Sequence, residues 1–258
     1  MSDGEVHYIR EGAVAKIVFD RPAARNAMTW RMYERLGEIC AQMRGDESIR
    51  VAVFRGAGGK AFVAGTDIAQ FLDFRTGEQG LAYEEELEAY IEAIEHLPMP
   101  TVAVVEGLAI GGGLAIATAC DLRIATPGSR FGVPIARTLG NCLSIKNYAR
   151  LIAALGLPRA KRVLLLAENI AAEEALAGGY LTEIASEAEL DARVSALCEK
   201  LQQHAPITMR VTKEAMRRIL HAGLPSGDDL TLGCYGSADF REGVRAFVEK
   251  RPAQWTGK

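Results

Sequence analysis

Two short, almost wholly apolar segments, RVAVFRG at 50–56 and TVAVVEG at 101–107, constrain this chain more than any other feature. A strand without a polar face must be covered on both sides, which points to a parallel sheet flanked by helices. The sequence between and around them supplies that cover. Met28, Met32, Leu36, Ile39 and Met43 recur at helical spacing, so the pattern predicts an amphipathic helix over 28–44. Leu87, Tyr90, Ile91, Ile94 and Leu97 repeat the pattern ahead of Pro98 and Pro100, and DLRIAT at 121–126 reads as a further short strand. VHYIREGAVAKIVFD at 6–20 reads as a strand or hairpin. Strand, helix, strand in this order predicts an α/β core.

From about residue 143 the pattern turns mostly helical and stays so to the end. The expected organisation is a core over 1–190 followed by a helical C-terminal region over 191–258. The stretch IAQFLDFRTGEQGLAYEEE at 68–86 sustains neither period. It reads as a mobile loop of the kind that covers binding sites, with Glu78, Glu84, Glu85 and Glu86 as a solvated helix start or, on closure of the loop, with one of them swung into the site.

Composition excludes several functional classes. A chain of 258 residues that is 49% hydrophobic can bury one substantial core. Its formal net charge of −3, with both signs interleaved, offers no basic face for nucleic acid. No apolar run approaches the roughly 20 residues of a membrane span, so no membrane partner is expected. Cys40, Cys120, Cys142, Cys198 and Cys234 are scattered without CxxC spacing and read as reduced thiols, which makes the cytoplasm the expected compartment. His7, His96, His204 and His221 are isolated, so no metal site is expected. RGAGGKAF at 55–62 fails the phosphate-loop spacing and has Ala61 where a hydroxyl is required, and GxSxG is absent.

Two segments carry chemistry for the same physical reason. KAFVAGTDIAQF at 60–71 and EGLAIGGGLAIATACD at 106–121 each end a buried strand and begin a helix with small residues. Ala64 and Gly65 permit close backbone approach, and Thr66 and Asp67 stand at a helix start. Two such ends facing each other aim two N–H groups at one oxygen, the layout of an oxyanion hole. The alternative is that Gly111, Gly112 and Gly113 merely let a helix pack tightly on the sheet.

FDRPAARNAM, KAFVAGTDI, EGLAIGGGLAIATACDLRIAT, RFGVPIA, AAEEALAGGYLTEI and DFREGVRAFVEKRPAQW follow one another over nearly the whole chain. In this order they resemble the enoyl-CoA hydratase/isomerase (crotonase) superfamily. The resemblance implies a crotonase-like ββα spiral core with a helical C-terminal trimerisation region, assembled as a homotrimer or homohexamer. It implies an acyl-CoA thioester as substrate, with CoA part of that substrate and no separate cofactor. The thioester oxygen is expected to accept hydrogen bonds from the backbone N–H groups of Thr66 and Gly112. CoA contacts carry over to Ala23, Ala24 and Arg25, and to Ala64, Gly65, Asp67 and Ile68. Ala23 and Arg25 depart from the Lys and Leu common there, so the positive charge is displaced by two positions. Lys250 and Trp255 match positions that approach CoA in relatives, sometimes from a neighbouring subunit, although Trp255 fits simple helix packing equally well.

One departure bears on mechanism. Hydratases of the superfamily use two glutamates, at positions that match Ala115 and Ile135 here. Neither residue can exchange a proton, so the two-glutamate mechanism is not encoded at its usual places, and both are left as acyl-pocket residues. ARTLGNCLSIKNYARL at 136–151 offers polar groups instead. Asn141 is read as a water-orienting group or as the N-cap of the next helix, Cys142 as a nucleophile or a small buried side chain, and Arg137 as a partner for a substrate carboxylate or a surface acid. The reading is an acyl-CoA enzyme of the hydratase/isomerase type with a non-standard proton carrier. The alternatives are a CoA-thioester-binding protein with little catalysis and an acyl-CoA hydrolase using Cys142 or a held water.

Overall fold

In the computed structural model, which describes residues 3–258, the chain winds through successive turns of two strands and a helix. A hairpin of β1 (Glu5–Glu11) and β2 (Val14–Asp20) leads into α1 (Trp30–Arg44). The first turn is β3 (Val51–Gly56), β4 (Ala61–Ala64) and α2 (Gly77–Glu95). The second is β5 (Thr101–Val105), β6 (Leu108–Ile110) and α3 (Gly112–Ala119). The third is β7 (Leu122–Ala125) and β8 (Arg130–Gly132), followed by α4 (Ile135–Thr138) and α5 (Ile145–Leu155). Beyond lie α6 (Leu157–Leu165), β9 (Ile170–Ala171), α7 (Ala172–Ala177), β10 (Glu183–Ile184), α8 (Leu190–Gln202), α9 (Pro206–His221), α10 (Asp228–Tyr235) and α11 (Ala238–Glu249). No helix among the described residues is long and apolar enough to cross a membrane.

The first strand of every turn joins a six-stranded sheet, ordered β1-β2-β3-β5-β7-β10 and parallel from β2 onward. The second strand joins a four-stranded sheet, β4-β6-β8-β9. This is the ββα spiral that the motif order implies. The two apolar strands are double-sided because each face meets a different core. Ala52, Phe54, Ala103 and Val105 pack into the main core with residues of α1 and α2. Val51, Val53, Val102 and Val104 face the other way, under Leu190, Cys198 and Leu201 of α8.

Residues 68–86 correct the sequence expectation. Ile68–Phe71 form a 3-10 turn, and α2 already begins at Gly77, so most of the expected loop is ordered helix. Its start is a capping box, in which Gln79 Oε1 accepts from the Thr76 amide at 3.1 Å. The buried positions 77, 80, 84, 87, 91 and 94 keep helical spacing. The first three are Gly, Gly and Glu, which is why no apolar period registers. The glycines are there because α10 lies against them. A Cβ on Gly77 would stand 2.3 Å from the Leu232 carbonyl oxygen, and one on Gly80 would stand 2.0 Å from Tyr235 Cγ. At the other end, α2 stops at Glu95, so Leu97 is buried beyond it. Met28 likewise precedes α1, and its amide donates to the Gly65 carbonyl at 2.8 Å.

Gly80→Ala tests this contact. The substitution gains roughly 1 kcal/mol in helix propensity, yet net destabilisation of about 1–3 kcal/mol is expected because the new methyl overpacks against Tyr235. Urea unfolding of the two proteins measures the difference.

Candidate active site

The site begins with a strand register. In the parallel pair β4 and β6, Ala64 stands opposite Ile110. Two residues past each partner are Thr66 and Gly112, so both leave the C-terminal ends of adjacent parallel strands, where α/β sheets place their ligands. Gly65 and Gly111, with φ of 93° and 54°, turn the chain at once into its next segment. Gly112 is the first residue of α3, and its amide has no intrahelical acceptor. Among the described residues no acceptor is found for the backbone N–H of Thr66 or of Gly112.

The glycine triplet has a separate reason at each position. Gly111 makes the turn. A Cβ on Gly113 would lie 1.9 Å from the Val63 carbonyl oxygen, so this glycine serves helix packing. A Cβ on Gly112 would lie 2.6 Å from Tyr33 Oη and 3.5 Å from Thr66 Oγ1, which puts Gly112 directly beside the threonine. Thr66 Oγ1 is hydrogen-bonded to Tyr33 Oη at 2.9 Å and to Tyr83 Oη at 3.1 Å. Burial pushes both phenols well above their ordinary acidity range, so they remain neutral hydroxyls.

Thr66, Tyr83, Gly111 and Gly112 border a cavity of about 440 Å³. Ala24 and Arg25 reach it from the loop after β2, and Ala64, Gly65, Asp67 and Ile68 from the segment after β4. Ala115 and Ile135 contribute apolar wall, and Asn141 lines it too. The Asp67 carboxylate is held by Arg21 at 2.8 Å and caps the Ile68–Phe71 turn. Arg25 sits exposed in a left-handed conformation, φ 52°.

The other predicted residues lie elsewhere. Ala23 is exposed outside the cavity lining, and Arg137 is exposed on α4. Lys250 ends α11 in a left-handed conformation. Trp255, 42% exposed, lies near Gly140, where an added Cβ would come within 3.1 Å of its Cζ3. Cys142 is partly buried beside Cys234; the hydrogen bond between the two thiols and then burial push its pKa far up, the reverse of what a thiolate nucleophile needs. The N-cap of α5 is Ser144, not Asn141. Asn141 instead donates to Tyr235 Oη at 3.1 Å, and its Oδ1 is buried without a partner.

Of the four acids at 78–86, one enters the site, and it does so from an ordered helix and not by closure of a loop. Glu85 and Glu86 are solvated as expected, but Glu84 is only 3% exposed and lines the cavity. Tyr235 Oη donates to its Oε1 at 2.6 Å, and the Ser144 amide donates to its Oε2 at 2.9 Å. Burial raises its pKa to about 7, against the opposing pull of those two hydrogen bonds. Extending the stripe Leu87, Ile91, Ile94 backwards by one turn would have turned Glu84 inward. Asn147 and Phe247, which also line the cavity, carried no signal of their own.

One turn further along α2, Glu88 meets a different fate. Arg150 donates to Glu88 at 2.5 and 3.0 Å and to Glu95 at 2.7 and 2.9 Å, and His221 Nε2 lies 3.1 Å from Glu95. Ser144 Oγ completes the Glu88 shell at 2.7 Å. This buried clamp ties α2 to α5 and fixes the helix that carries Glu84.

Known proteins similar to this chain belong to one family. The sequence model of the enoyl-CoA hydratase/isomerase family matches residues 10–258, and the chain belongs to that family. A short-chain-enoyl-CoA hydratase from Clostridium acetobutylicum is 30% identical over 94% of this chain and 94% of its own. The mitochondrial enoyl-CoA hydratase domain-containing protein 2 of Homo sapiens is 33% identical over 95% of this chain and 86% of its own. Among solved structures, a methylmalonyl-CoA decarboxylase in complex with 2-nitronate-propionyl-CoA superposes with a TM-score of 0.89 at 27% identity, covering 98% of both chains. The chain is thus an enzyme of the hydratase/isomerase family.

Two stability measurements probe the site. Arg150→Ala strands Glu88 and Glu95 without their cation and is expected to cost about 3–5 kcal/mol by chemical denaturation. For Glu84, the folded pKa of about 7 lies above the ordinary value of 4.5, so between these pH values the folded chain holds a proton that the unfolded chain releases. Its contribution is complete below the unfolded pKa and is lost as pH rises through 7, about 3 kcal/mol in all. Glu84→Gln should flatten that part of the stability difference between pH 5 and pH 8.

Proposed function

We propose that this family member acts on acyl-CoA thioesters by stabilising a thioester enolate between the backbone N–H groups of Thr66 and Gly112. The observation that carries the reading is the β4–β6 register, which leaves two unengaged amides side by side on one cavity. Donors already in place when charge develops on the thioester oxygen lower the barrier without reorganisation. The relatives support the substrate class, since both the hydratases and the decarboxylase are named for CoA thioesters.

Arg25, exposed beside Ala24, meets a CoA phosphate, while the backbone at Ala64, Gly65 and Ile68 admits the thin pantetheine arm. Asp67 acts by holding the Ile68–Phe71 turn in place. Ala115 and Ile135 make an apolar acyl wall where hydratases of the family carry glutamates. Two-glutamate activation of water is therefore absent, and hydration by this enzyme is slow. The enzyme assembles as a homotrimer or homohexamer in the cytoplasm. Ile207, Val211 and Ile219, 66%, 58% and 77% exposed along one face of α9, suit such an interface, and Lys250 and Trp255 then approach the cavity of a neighbouring subunit.

The test removes one donor without crowding. Gly112→Pro deletes the N–H but brings a side chain against Tyr33 Oη, so it is made in a Tyr33→Phe background. Turnover of acyl-CoA probes should fall about 10²–10³-fold relative to Tyr33→Phe alone, with folding intact. Unchanged turnover removes the oxyanion assignment. Tight binding of several acyl-CoAs by the unmodified protein, with no turnover of any, favours a thioester-binding protein instead.

A further inference from the structure

We propose that Glu84, reaching the cavity from α2, is the catalytic residue that takes the proton from the carbon next to the thioester carbonyl and returns it to the substrate. The proposal rests on the enolate reading above and adds the group that reading lacks.

Two acids line the cavity among the described residues, Asp67 and Glu84. Asp67 is neutralised by Arg21 at 2.8 Å. Glu84 is held only by uncharged donors, the Tyr235 hydroxyl at 2.6 Å and the Ser144 amide at 2.9 Å. Each of its oxygens can accept at least one more hydrogen bond, so the carboxylate is held in place without being saturated. It lines the same cavity as the two unengaged amides.

Two asparagines give the cavity wall beside Glu84 a polar character. Asn147, 2% exposed, leaves Nδ2 without a partner, and Asn141 leaves Oδ1 without one; both residues line the cavity. Buried orphan polar atoms are rare in native structures. Asn141 also belongs to the network that carries Glu84: it donates to Tyr235, which in turn donates to Glu84.

The titratable neighbours are consistent with a group that shuttles one proton. Glu88 on the same helix is locked to Arg150 of α5. Tyr83 of α2, Tyr33 of α1 and Tyr235 of α10 are neutral through burial. Cys142 and Tyr148, before and within α5, are also shifted towards the neutral form, while Cys234 of α10 is shifted towards its thiolate by its bond to Cys142. Burial leaves Glu84 near pKa 7, where acid and base forms are both populated and general acid–base catalysis is most effective.

The step balances within the site. The C2–H bond breaks, its electron pair becomes the enolate double bond, the carbonyl pair moves onto the oxygen held by Thr66 and Gly112, and the proton goes to Glu84. Reversal returns it to C2. With a 3-enoyl thioester the conjugated dienolate can instead take that proton at C4, giving the 2-enoyl product without an external reagent.

The experiment uses the intact protein and 3-butenoyl-CoA in deuterium oxide, followed by NMR for deuterium at C2 and C4 and by absorbance for the conjugated product. Glu84→Gln should lower exchange and isomerisation at least about 100-fold, while butyryl-CoA affinity stays within about threefold; exposed Glu85→Gln should change neither. The wild-type rate should rise with pH through a midpoint near 7, and Tyr235→Phe should move that midpoint upward by removing a donor to the carboxylate, a shift that a merely structural glutamate would not produce. If Glu84→Gln does not fold, the Tyr235→Phe profile decides. A folded Glu84→Gln protein with near wild-type rates, or a midpoint unmoved in Tyr235→Phe, overturns the assignment. If Glu84→Gln retains activity while the Gly112 variant loses it, Glu84 alone is wrong; if the wild type binds butyryl-CoA but neither exchanges nor isomerises 3-butenoyl-CoA, the enolate reading falls too.

Discussion

The parallel register that sets Ala64 against Ile110 is the constraint on which the site depends. A slip of one residue would separate Thr66 from Gly112 and turn every side chain of the strand to its other face. The N-terminal loop braces that register. The Met28 amide donates to Gly65 O, the Asp67 amide donates to Met28 O, and both bonds are 2.8 Å long. Asn26, fully buried, accepts from the Arg21 amide and donates to the carbonyls of Ala57 and Ala61. The segment around RNAM is therefore as much a strut under β4 as a border of the cavity.

Helix α2 supplies the other half, and its two buried glutamates show how context separates identical side chains. Glu88 faces Arg150 across a bidentate contact and acts as a structural anion, whose cost of burial is offset by that pairing. Glu84, one turn earlier, is buried more deeply still and meets only neutral donors. The clamp at Glu88 holds the backbone that presents Glu84, so the ion pair serves the unpaired acid.

Much of the scaffold was legible because its signals are local. The double-sided strands at 50–56 and 101–107 identified the large sheet, and the glycine triplet identified the end of β6. Of the short strands, β4 and β6 were legible only at their ends, through the small residues that follow, and β8 escaped because three residues cannot display a period. The early part of α2 escaped because contact with α10 demands glycine where a helix stripe usually shows leucine, and Glu84 then fell outside any apolar pattern. A cap was one of two readings of Asn141 because cap preference is local, yet Ser144 stands at the actual helix start and Asn141 donates to Tyr235. These contacts join residues far apart along the chain, and no window of sequence contains both partners.

Gly80 lets Tyr235 lie flush against α2, and the same tyrosine grips Glu84. Close packing and carboxyl acidity are thus carried by one side chain. Warming that loosens α10 would admit water to the carboxyl group and return it to ordinary acidity while both sheets still stand. The neutral-range titration of Glu84 is in this sense a gauge of how tightly two helices are pressed together.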